Sequence, residues 1–323
     1  MREVIFIKKN KPRWDELEQF ISGKTNLSPD DIADHYIAIT DDLAYSNTFF
    51  PNSELAIYLN NLALKSHQLL YKSKPEKKSR FKTFFTQEVP EAILNSHREL
   101  GYSLIIFLVA IGVGLFSSMK DASFPNLILG DQYVNMTIHN IERGDPMGVY
   151  GDSGSTPMFF GISSNNIRVS FLAYVIGIFS SLPVGFILLS NGIMVGAFMS
   201  FFINRGLGWL SFSSIMIHGT LELSAIVIAA GAGLVLGNSF LFPQTYSRSL
   251  SLRMAGKRSL KIIIGLIPIF LIAGFLESYV TRHYLLLGSL GRIFIMLSSL
   301  LFVLWYFFLY PLKLEQNGII RRI

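Results

Sequence analysis

A series of long apolar runs after residue 100 is the feature that most constrains how this chain can fold. A helix that crosses the hydrocarbon core of a bilayer needs about 20 apolar residues. The third of these runs is short, so residues 192–212 could either cross the bilayer or fold back as a re-entrant segment. The sequence therefore predicts an all-α, polytopic membrane domain over 101–323 with five or six transmembrane helices. The candidate spans are 102–118, 168–189, 192–203, 217–241, 262–280 and 293–312.

Residues 1–100 differ in composition from the rest of the chain. They hold 14 of the 28 Lys and Arg residues and 14 of the 22 Asp and Glu residues, so this part is densely charged without a net charge. Apolar residues recur there at helical spacing, and the sequence has no strand-like alternation of any length. We therefore predict a cytosolic helical N-terminal domain over 1–100, with no cleavable signal peptide before it.

Helix signals divide this N-terminal domain into four segments. Pro12 suits the start of a first helix. Ser28 can cap a second helix, and a third is expected over 52–71. A fourth, amphipathic helix over 81–94 leads towards the membrane and is expected to bend near Pro90.

The positions of the basic residues predict the orientation in the membrane, because cytoplasmic loops are enriched in Lys and Arg. Six spans with both termini in the cytoplasm would place every basic cluster inside. The net charge of +6 is then an orientation signal, and nucleic-acid binding is not expected. The basic clusters are Lys72, Lys74, Lys77, Lys78, Arg80 and Lys82 before the first span, Arg248, Arg253, Lys257, Arg258 and Lys261 in loop 242–261, and Arg321 and Arg322 at the end.

Segment 119–166 has two basic and five acidic residues, and it is predicted to form an external loop between the first two spans. It is too long for a simple hairpin connection. Its glycine and proline content indicates a compact loop domain with one short helix at 132–142. The sequence Gly-Asp-Ser-Gly-Ser at 151–155 resembles a hydrolase serine motif, but its context favours a turn.

Several function classes are excluded by residues that the sequence lacks. The chain has no cysteine, which excludes disulfides, thiol catalysis and zinc–thiolate sites. It has no Gly-x4-Gly-Lys-Ser/Thr phosphate-binding motif and no His-Glu-x-x-His zinc motif. We therefore expect no cofactor and no enzymatic activity, and any ATP-driven step would belong to a partner protein.

Three ionisable residues in the apolar part form a candidate polar site. His218 and Glu222 lie four residues apart, hence on one helical face, and Glu277 lies near the outer end of the fifth span. A carboxylate at membrane depth costs about 2.5–3.5 kcal/mol and normally faces a bundle interior or a wet cavity. The three could converge as a polar or proton-coupled substrate site or a switch, or Glu222 could be purely structural. One His and two Glu could also bind a metal, but their spacing does not enforce it, and no metal site is predicted.

Small residues spaced four apart predict close helix packing, because they let helix backbones approach each other in a membrane. Packing within one chain is favoured over a dimer contact, although a homo-oligomer stays open. The predicted packing positions are Asn191, Gly192, Gly196, Gly219, Gly233 and Gly237.

Motifs along the chain occur together in one known family. The N-terminal ones are Trp14 with Leu17-Glu18, Asp42-Leu43-Ala44, Pro51, Tyr58-Leu59-Asn60 with Leu62, His67, Tyr71 and Pro90. The later ones are Asn165-Asn166, Asn191-Gly192 with Gly196, His218-Gly219 with Glu222-Leu223, and Glu277 with Thr281. By these motifs the chain is similar to the stage II sporulation protein M family over nearly its whole length, with His-Gly-x-x-Glu the most specific element. It departs from the family at Val89, where Phe is usual, and at Ile217, where Pro is common.

This resemblance implies a role in the cell envelope. In spore formers the family member works with a membrane-anchored peptidoglycan hydrolase pair as a membrane organiser, and many relatives are encoded near AAA+ ATPases of the MoxR type. We therefore expect a multi-pass scaffold of the cytoplasmic membrane that contacts lipids and binds envelope or AAA+ ATPase partners through its N-terminal domain. The alternative is a transporter or lipid-moving protein that uses His218, Glu222 and Glu277.

Overall fold

The computed structural model of the chain describes residues 2–23, 25, 29–51, 53–70, 80–150 and 154–322. Every regular element in these residues is a helix, which confirms the all-α prediction. The chain divides into two compact units, Met1–Arg80 and Phe81–Ile323. The dividing point therefore lies at residue 80 rather than at the predicted residue 100.

The described part of the N-terminal unit contains helices α1 (Glu3–Ile21), α2 (Pro29–Phe49) and α3 (Glu54–Leu70). The helix start predicted at Pro12 is wrong, because α1 begins at Glu3 and continues through the proline. Phe6 explains the extension, since its ring is buried and stacks on Tyr45 with the ring centroids 4.8 Å apart. The predicted cap Ser28 and the basic segment 71–79 lie outside the described residues.

Large side chains fill the core of the N-terminal unit. Trp14 is 2% exposed and donates its Nε1 hydrogen to Asp42 Oδ2 at 2.8 Å. Arg13 pairs with the same carboxylate oxygen at 2.5 Å. Asp42 thereby satisfies the polar atom that the burial of Trp14 brings into the core. The buried apolar residues are Phe6, Trp14, Leu17, Ile39, Leu55, Leu59, Leu62 and Ala63.

The second unit begins with a short helical entry: α4 (Arg80–Thr83), a π-helical turn (Phe84–Glu88) and α5 (Val89–Leu94). The helix predicted over 81–94 is interrupted by this π-helical turn, which ends two residues before Pro90, and Pro90 occupies the first turn of α5. Val89 is fully buried, and a Cβ atom added to Gly265 would lie only 2.8 Å from Val89 Cγ1. This close packing explains why residues 81–100 belong to the second unit.

Long helices form the body of the second unit. They are α6 (His97–Lys120), α9 (Ser155–Ile176), α10 (Ser181–Ile203), α11 (Gly208–Leu241), α12 (Arg248–Phe275) and α13 (Tyr284–Leu304). Four helical segments are long and apolar enough to cross a membrane, among the residues that the structure describes. These segments are His97–Lys120, Ser181–Ile203, Gly208–Leu241 and Arg248–Gln316, the last of which is 69 residues long and includes α12 and α13. The chain is a multi-pass membrane protein by these criteria.

Two predicted span boundaries are wrong. The chain turns at residues 177–180, in the middle of predicted span 168–189, and Ser180 accepts a hydrogen bond from the backbone N–H of Leu182 to cap α10. Predicted span 192–203 is the second half of α10, a continuous helix that is long and apolar enough to cross a membrane. The side-chain cap at the start of α10 marks a helix boundary that the lengths of the apolar runs do not reveal.

The segment between α6 and α9 is folded where the structure describes it. It contains α7 (Phe124–Leu129), α8 (Asp131–Glu142) and a 3-10 turn (Gly148–Tyr150). The short helix predicted at 132–142 is confirmed. Because α9 begins at Ser155, the segment ends before the predicted residue 166. Most of the Gly-Asp-Ser-Gly-Ser sequence lies outside the described residues.

The last part of the chain alternates regular and irregular helical turns. After α12 come a π-helical turn (Leu276–Val280), a 3-10 turn (Thr281–His283) and α13, in which Gly288 has a φ of 61°. A further π-helical turn (Trp305–Leu309) leads into α14 (Tyr310–Gln316). Such π-helical turns are rare, and they occur most often at functional sites.

Candidate functional site

One long helix and one π-helical turn supply the three ionisable residues of the predicted polar site. His218 and Glu222 lie on successive turns of α11, and Glu277 lies in the π-helical turn that follows α12. The extra residue of a π-helical turn rotates the side chains that follow it relative to a regular helix. The structure brings all three side chains together, with one ligand-type atom from each lying within 4.8 Å of the others.

The histidine makes contacts with both elements after α12. His218 Nδ1 lies 2.9 Å from Thr281 Oγ1, which is a normal hydrogen-bond distance. His218 Nε2 lies 3.9 Å from Glu277 Oε1, too far for a hydrogen bond. The side chain of His218 is 6% exposed and that of Glu277 is 14% exposed. The imidazole ring is therefore fixed by Thr281 and faces the carboxylate.

Helix α9 forms a polar wall next to these residues. Asn166 on α9 is 8% exposed and interacts with the carboxyl group of Glu222, although its Nδ2 atom completes no hydrogen bond of normal geometry in the described residues. Ser163, one turn earlier, lies so close to α12 that a Cβ atom on Gly274 would collide with its hydroxyl oxygen. The site thus lies where α9, α11 and the end of α12 meet.

Residues of the segment between α6 and α9 and of α13 pack together at this end of the bundle. Tyr284 donates its hydroxyl hydrogen to Asp145 Oδ1 at 2.8 Å. Val134 and Met147 are buried in one cluster with Tyr284 and Ile217, the residue before His218. The segment between α6 and α9 therefore packs beside the site.

Two polar contacts tie the start of α9 to the turns after α12. Thr156 Oγ1 lies 2.9 Å from the hydroxyl oxygen of Tyr279. Arg282 donates a hydrogen bond to Ser155 Oγ. Since Tyr279 and Arg282 flank Thr281, these contacts hold the segment that carries Glu277 against α9.

Four of the predicted helix-packing glycines make the close contacts that their spacing predicted. A Cβ atom on Gly192 or Gly196 would collide with the backbone of α6, one on Gly233 would lie 2.7 Å from Ala173 O, and one on Gly237 would collide with Ser181. The packing role predicted for Gly219 is wrong, because an added Cβ atom would meet only ordinary contacts within its own helix. Asn191, also predicted as a packing position, donates a hydrogen bond to Ile187 O of its own helix.

Reasoning from single residues missed several polar groups of this region. Asn166 and Thr281 entered only through the family resemblance, and Ser163 and Ser170 were not singled out. The signal was available, because Ser163, Asn166 and Ser170 share one face of a helix at spacings of three and four. Arg292, which lies alone in an apolar run and is 5% exposed, was also missed.

Comparison of the sequence with models of known families assigns the chain to one of them. The family model of stage II sporulation protein M matches residues 103–282, which is more than half of the chain. The chain belongs to the stage II sporulation protein M family. His218, Glu222, Glu277, Asn166 and Thr281 all fall inside the matched region.

Two further comparisons complete the assignment. A domain of unknown function, DUF8413, matches residues 4–72, which form the N-terminal unit. The uncharacterized protein MJ0706 of Methanocaldococcus jannaschii is 21% identical over 182 residues, which cover 55% of this chain and 75% of that protein. No solved structure matches the chain.

Proposed function

We propose that this member of the stage II sporulation protein M family is a non-enzymatic scaffold of the cytoplasmic membrane that assembles cell-envelope remodelling complexes. The observation that carries the proposal is the N-terminal unit, which is compact and has its own hydrophobic core. A unit of this kind can bind a cytosolic partner, such as an envelope protein or an AAA+ ATPase, while the second unit remains in lipid.

We infer a topology of six passes with both termini in the cytoplasm. Six long helices follow one another in the second unit, and an even number returns the chain to its starting side. The acidic segment between α6 and α9 then lies outside, while the basic residues at the start of α12 lie inside.

Because the chain has no cysteine, single introduced cysteines can test this topology. Glu142→Cys, at an exposed site on α8, should react with a membrane-impermeant maleimide in intact cells. Asn317→Cys, at an exposed site after α14, should react only after the cells are opened. Labelling of both positions from outside would contradict the proposed orientation.

The surface of the N-terminal unit offers a place for a partner. A groove of about 540 Å³ between α1 and α2 combines charges of both signs, including Lys9, Asp34 and Asp41, with the apolar side chain of Ile37. Ile37 is 58% exposed. Charged groups around an exposed apolar contact are typical of transient protein interfaces.

Adjacent lysines on α1 provide a matched test of this groove. Lys9 lines it and Lys8 does not, while both are exposed. Lys9→Glu should reduce the recovery of envelope or ATPase proteins with the full-length chain in mild detergent, whereas Lys8→Glu should leave it unchanged. Equal recovery with both variants, or a wild-type protein recovered without such partners, would argue against the scaffold.

A second candidate function, transport or lipid movement, is favoured by the convergence of His218, Glu222 and Glu277. A groove of about 340 Å³ between α11, α12 and α13 is lined by Leu221 and Leu276, the neighbours of the two carboxylates. For this function, Glu222→Gln should abolish uptake or lipid flipping in vesicles containing the protein, whereas the exposed Glu142→Gln should not. Wild-type protein without flux would remove this alternative.

A further inference from the structure

We propose that His218, Glu222 and Glu277 together bind one divalent transition-metal cation of the Zn²⁺ type. This inference goes beyond the scaffold and does not depend on it, because a bound ion would link α11 to the turn after α12 in any function. It rests on the geometry of the three side chains, on their charges and on the groups that orient them.

The spacing of the donor atoms suits a single ion. Donor atoms bound to one tetrahedral Zn²⁺ at about 2.0–2.2 Å lie about 3.3–3.6 Å apart. The donor atoms of His218, Glu222 and Glu277 lie within 4.8 Å of one another, and the pair formed by His218 Nε2 and Glu277 Oε1 is 3.9 Å apart. The separation of His218 Nε2 and Glu277 Oε1 is too long for a direct hydrogen bond. Side-chain movements of up to about 1 Å would bring all three donor atoms onto one ion.

Thr281 gives His218 the arrangement of a metal ligand. Histidine ligands normally use their second ring nitrogen for a hydrogen bond that fixes the tautomer and the ring orientation. In the tautomer in which Nδ1 donates to Thr281 Oγ1, the lone pair of His218 is on Nε2, which faces Glu277. Glu277 and Thr281 lie four residues apart across the π-helical turn, so one element supplies both a ligand and the group that orients another ligand.

The charges of the site also favour a cation. Glu222 and Glu277 lie near each other in a largely buried position, where two ionised carboxylates repel strongly. Among the described residues, neither forms an ion pair with a Lys or Arg side chain within 4 Å. One divalent cation would neutralise both carboxylates and leave a site without net charge.

Asn166 is an independent observation that points into the same site. It is 8% exposed, lies on a different helix and interacts with Glu222, yet its Nδ2 atom completes no normal hydrogen bond in the described residues. An amide in this position can orient Glu222 as a ligand and hydrogen-bond to a water on the ion. Buried polar groups normally have such partners.

The donor set indicates which cations fit. One imidazole nitrogen and two carboxylate oxygens suit Zn²⁺ and neighbouring first-row cations, whereas Mg²⁺ and Ca²⁺ prefer sites made only of oxygen. Three protein side chains occupy three of the four positions of a tetrahedral ion, and a water molecule can take the fourth.

The test uses the full-length chain, purified in detergent and freed of metal with a chelator. Titration with Co²⁺ should produce a saturable visible absorption band at one equivalent, and Zn²⁺ should displace it while a large excess of Mg²⁺ should not. Zn²⁺ should also raise the melting temperature of the stripped protein. Wild-type protein that shows no Co²⁺ band and no Zn²⁺-dependent stabilisation would overturn the proposal.

Variants assign the binding to these side chains. Glu222→Gln and Glu277→Gln keep the side-chain shape but remove one ligand each, and each should weaken Co²⁺ binding by more than tenfold. Thr281→Val changes only the orienting group and should weaken it by about 10-fold to 100-fold. The matched control is Glu142→Gln, which removes a carboxylate from the exposed pair formed by His139 and Glu142 and should not change binding. Weaker Co²⁺ binding in Glu142→Gln, or unchanged Co²⁺ binding in Glu222→Gln and Glu277→Gln, would show that the binding is adventitious and would overturn the proposal.

Discussion

The interiors of the two units of this protein differ in how many hydroxyl-bearing residues they hold. The N-terminal unit buries large side chains, with Trp14, Leu17 and Leu59 at most 2% exposed. The second unit keeps many of its large side chains on the outside, including Leu182 at 81% and Leu286 at 86% exposed. Its interior combines large apolar residues, such as Phe202 and Phe270, with many buried hydroxyl-bearing residues, among them Ser103, Ser118, Ser163, Ser170, Ser200, Ser211, Ser214, Ser259 and Ser278.

The difference follows from the solvent of each unit. In water, burial of a large apolar side chain contributes about 1.5–3 kcal/mol, so large residues move to the core. In lipid there is no such driving force between helices, and association depends on close backbone packing and on hydrogen bonds. The contrast teaches that a His and two Glu can be accommodated inside the second unit because its interior already holds many hydroxyl-bearing residues.

The largest expected effect is on the aromatic core of the N-terminal unit. Trp14→Ala should lower the free energy of unfolding of this unit by about 3–5 kcal/mol, because it leaves a cavity and removes the hydrogen bond to Asp42. Protease susceptibility of the full-length protein in increasing urea measures this change. Ile57→Ala, at a position that is 65% exposed, should change it by less than about 0.5 kcal/mol. Similar losses from the two variants would contradict the burial-driven core.

Close backbone contact should dominate the stability of the second unit. Gly196→Ala places a methyl group against the backbone of α6 and should cost about 1–3 kcal/mol. Unfolding of the purified protein in a denaturing detergent, followed by circular dichroism, measures the loss. Gly185→Ala is the control, because its added methyl group meets open space and alanine favours a helix. If Gly185→Ala were the more damaging change, the packing explanation would fail.

A single interhelical hydrogen bond should contribute much less. Ser103 Oγ donates to Val227 O at 2.6 Å between α6 and α11. Ser103→Ala should destabilise the second unit by about 0.6 kcal/mol, the average for such bonds in membranes. The same detergent unfolding measures it, with Ser190→Ala as the control because Ser190 bonds within its own helix. A loss above about 2 kcal/mol would mean that polar bonds, and not close packing, hold these helices together.

A further effect appears only at alkaline pH and concerns Tyr58 in the N-terminal unit. Burial, together with the nearby Glu18 and Asp15 carboxylates, raises the pKa of Tyr58 from 10.0 to about 12. A raised pKa means that the unfolded chain loses this proton first, so its contribution to stability is complete below pH 10 and is lost between pH 10 and about 12. Urea unfolding of this unit over that pH range should show a smaller decline in Tyr58→Phe than in the wild type. If the free energy of unfolding declined equally in the wild type and in Tyr58→Phe, other groups would cause the loss of stability at alkaline pH.

Helix content and the membrane character of the second unit could be predicted, because both depend on local runs of residues. The apolar runs around residues 102–118 and 217–241 lie inside α6 and α11. The boundary between α9 and α10 could not be predicted this way, since both sides of residues 177–180 are apolar and the turn depends on the cap formed by Ser180. The first unit ends at residue 80 for a similar reason, because Val89 packs against Gly265 far along the chain.

The candidate site divides along the same line. That His218 and Glu222 share one face of a helix follows from their spacing alone, because an α-helix turns once in 3.6 residues. The sequence does not show that Glu277, Thr281 and Asn166 lie beside them, because these residues are distant along the chain. Tertiary contacts bring them together, through the π-helical turn after α12 and the packing of α9. Local periodicity therefore determined the helices and the candidate polar residues, whereas packing between helices decided which of these residues meet.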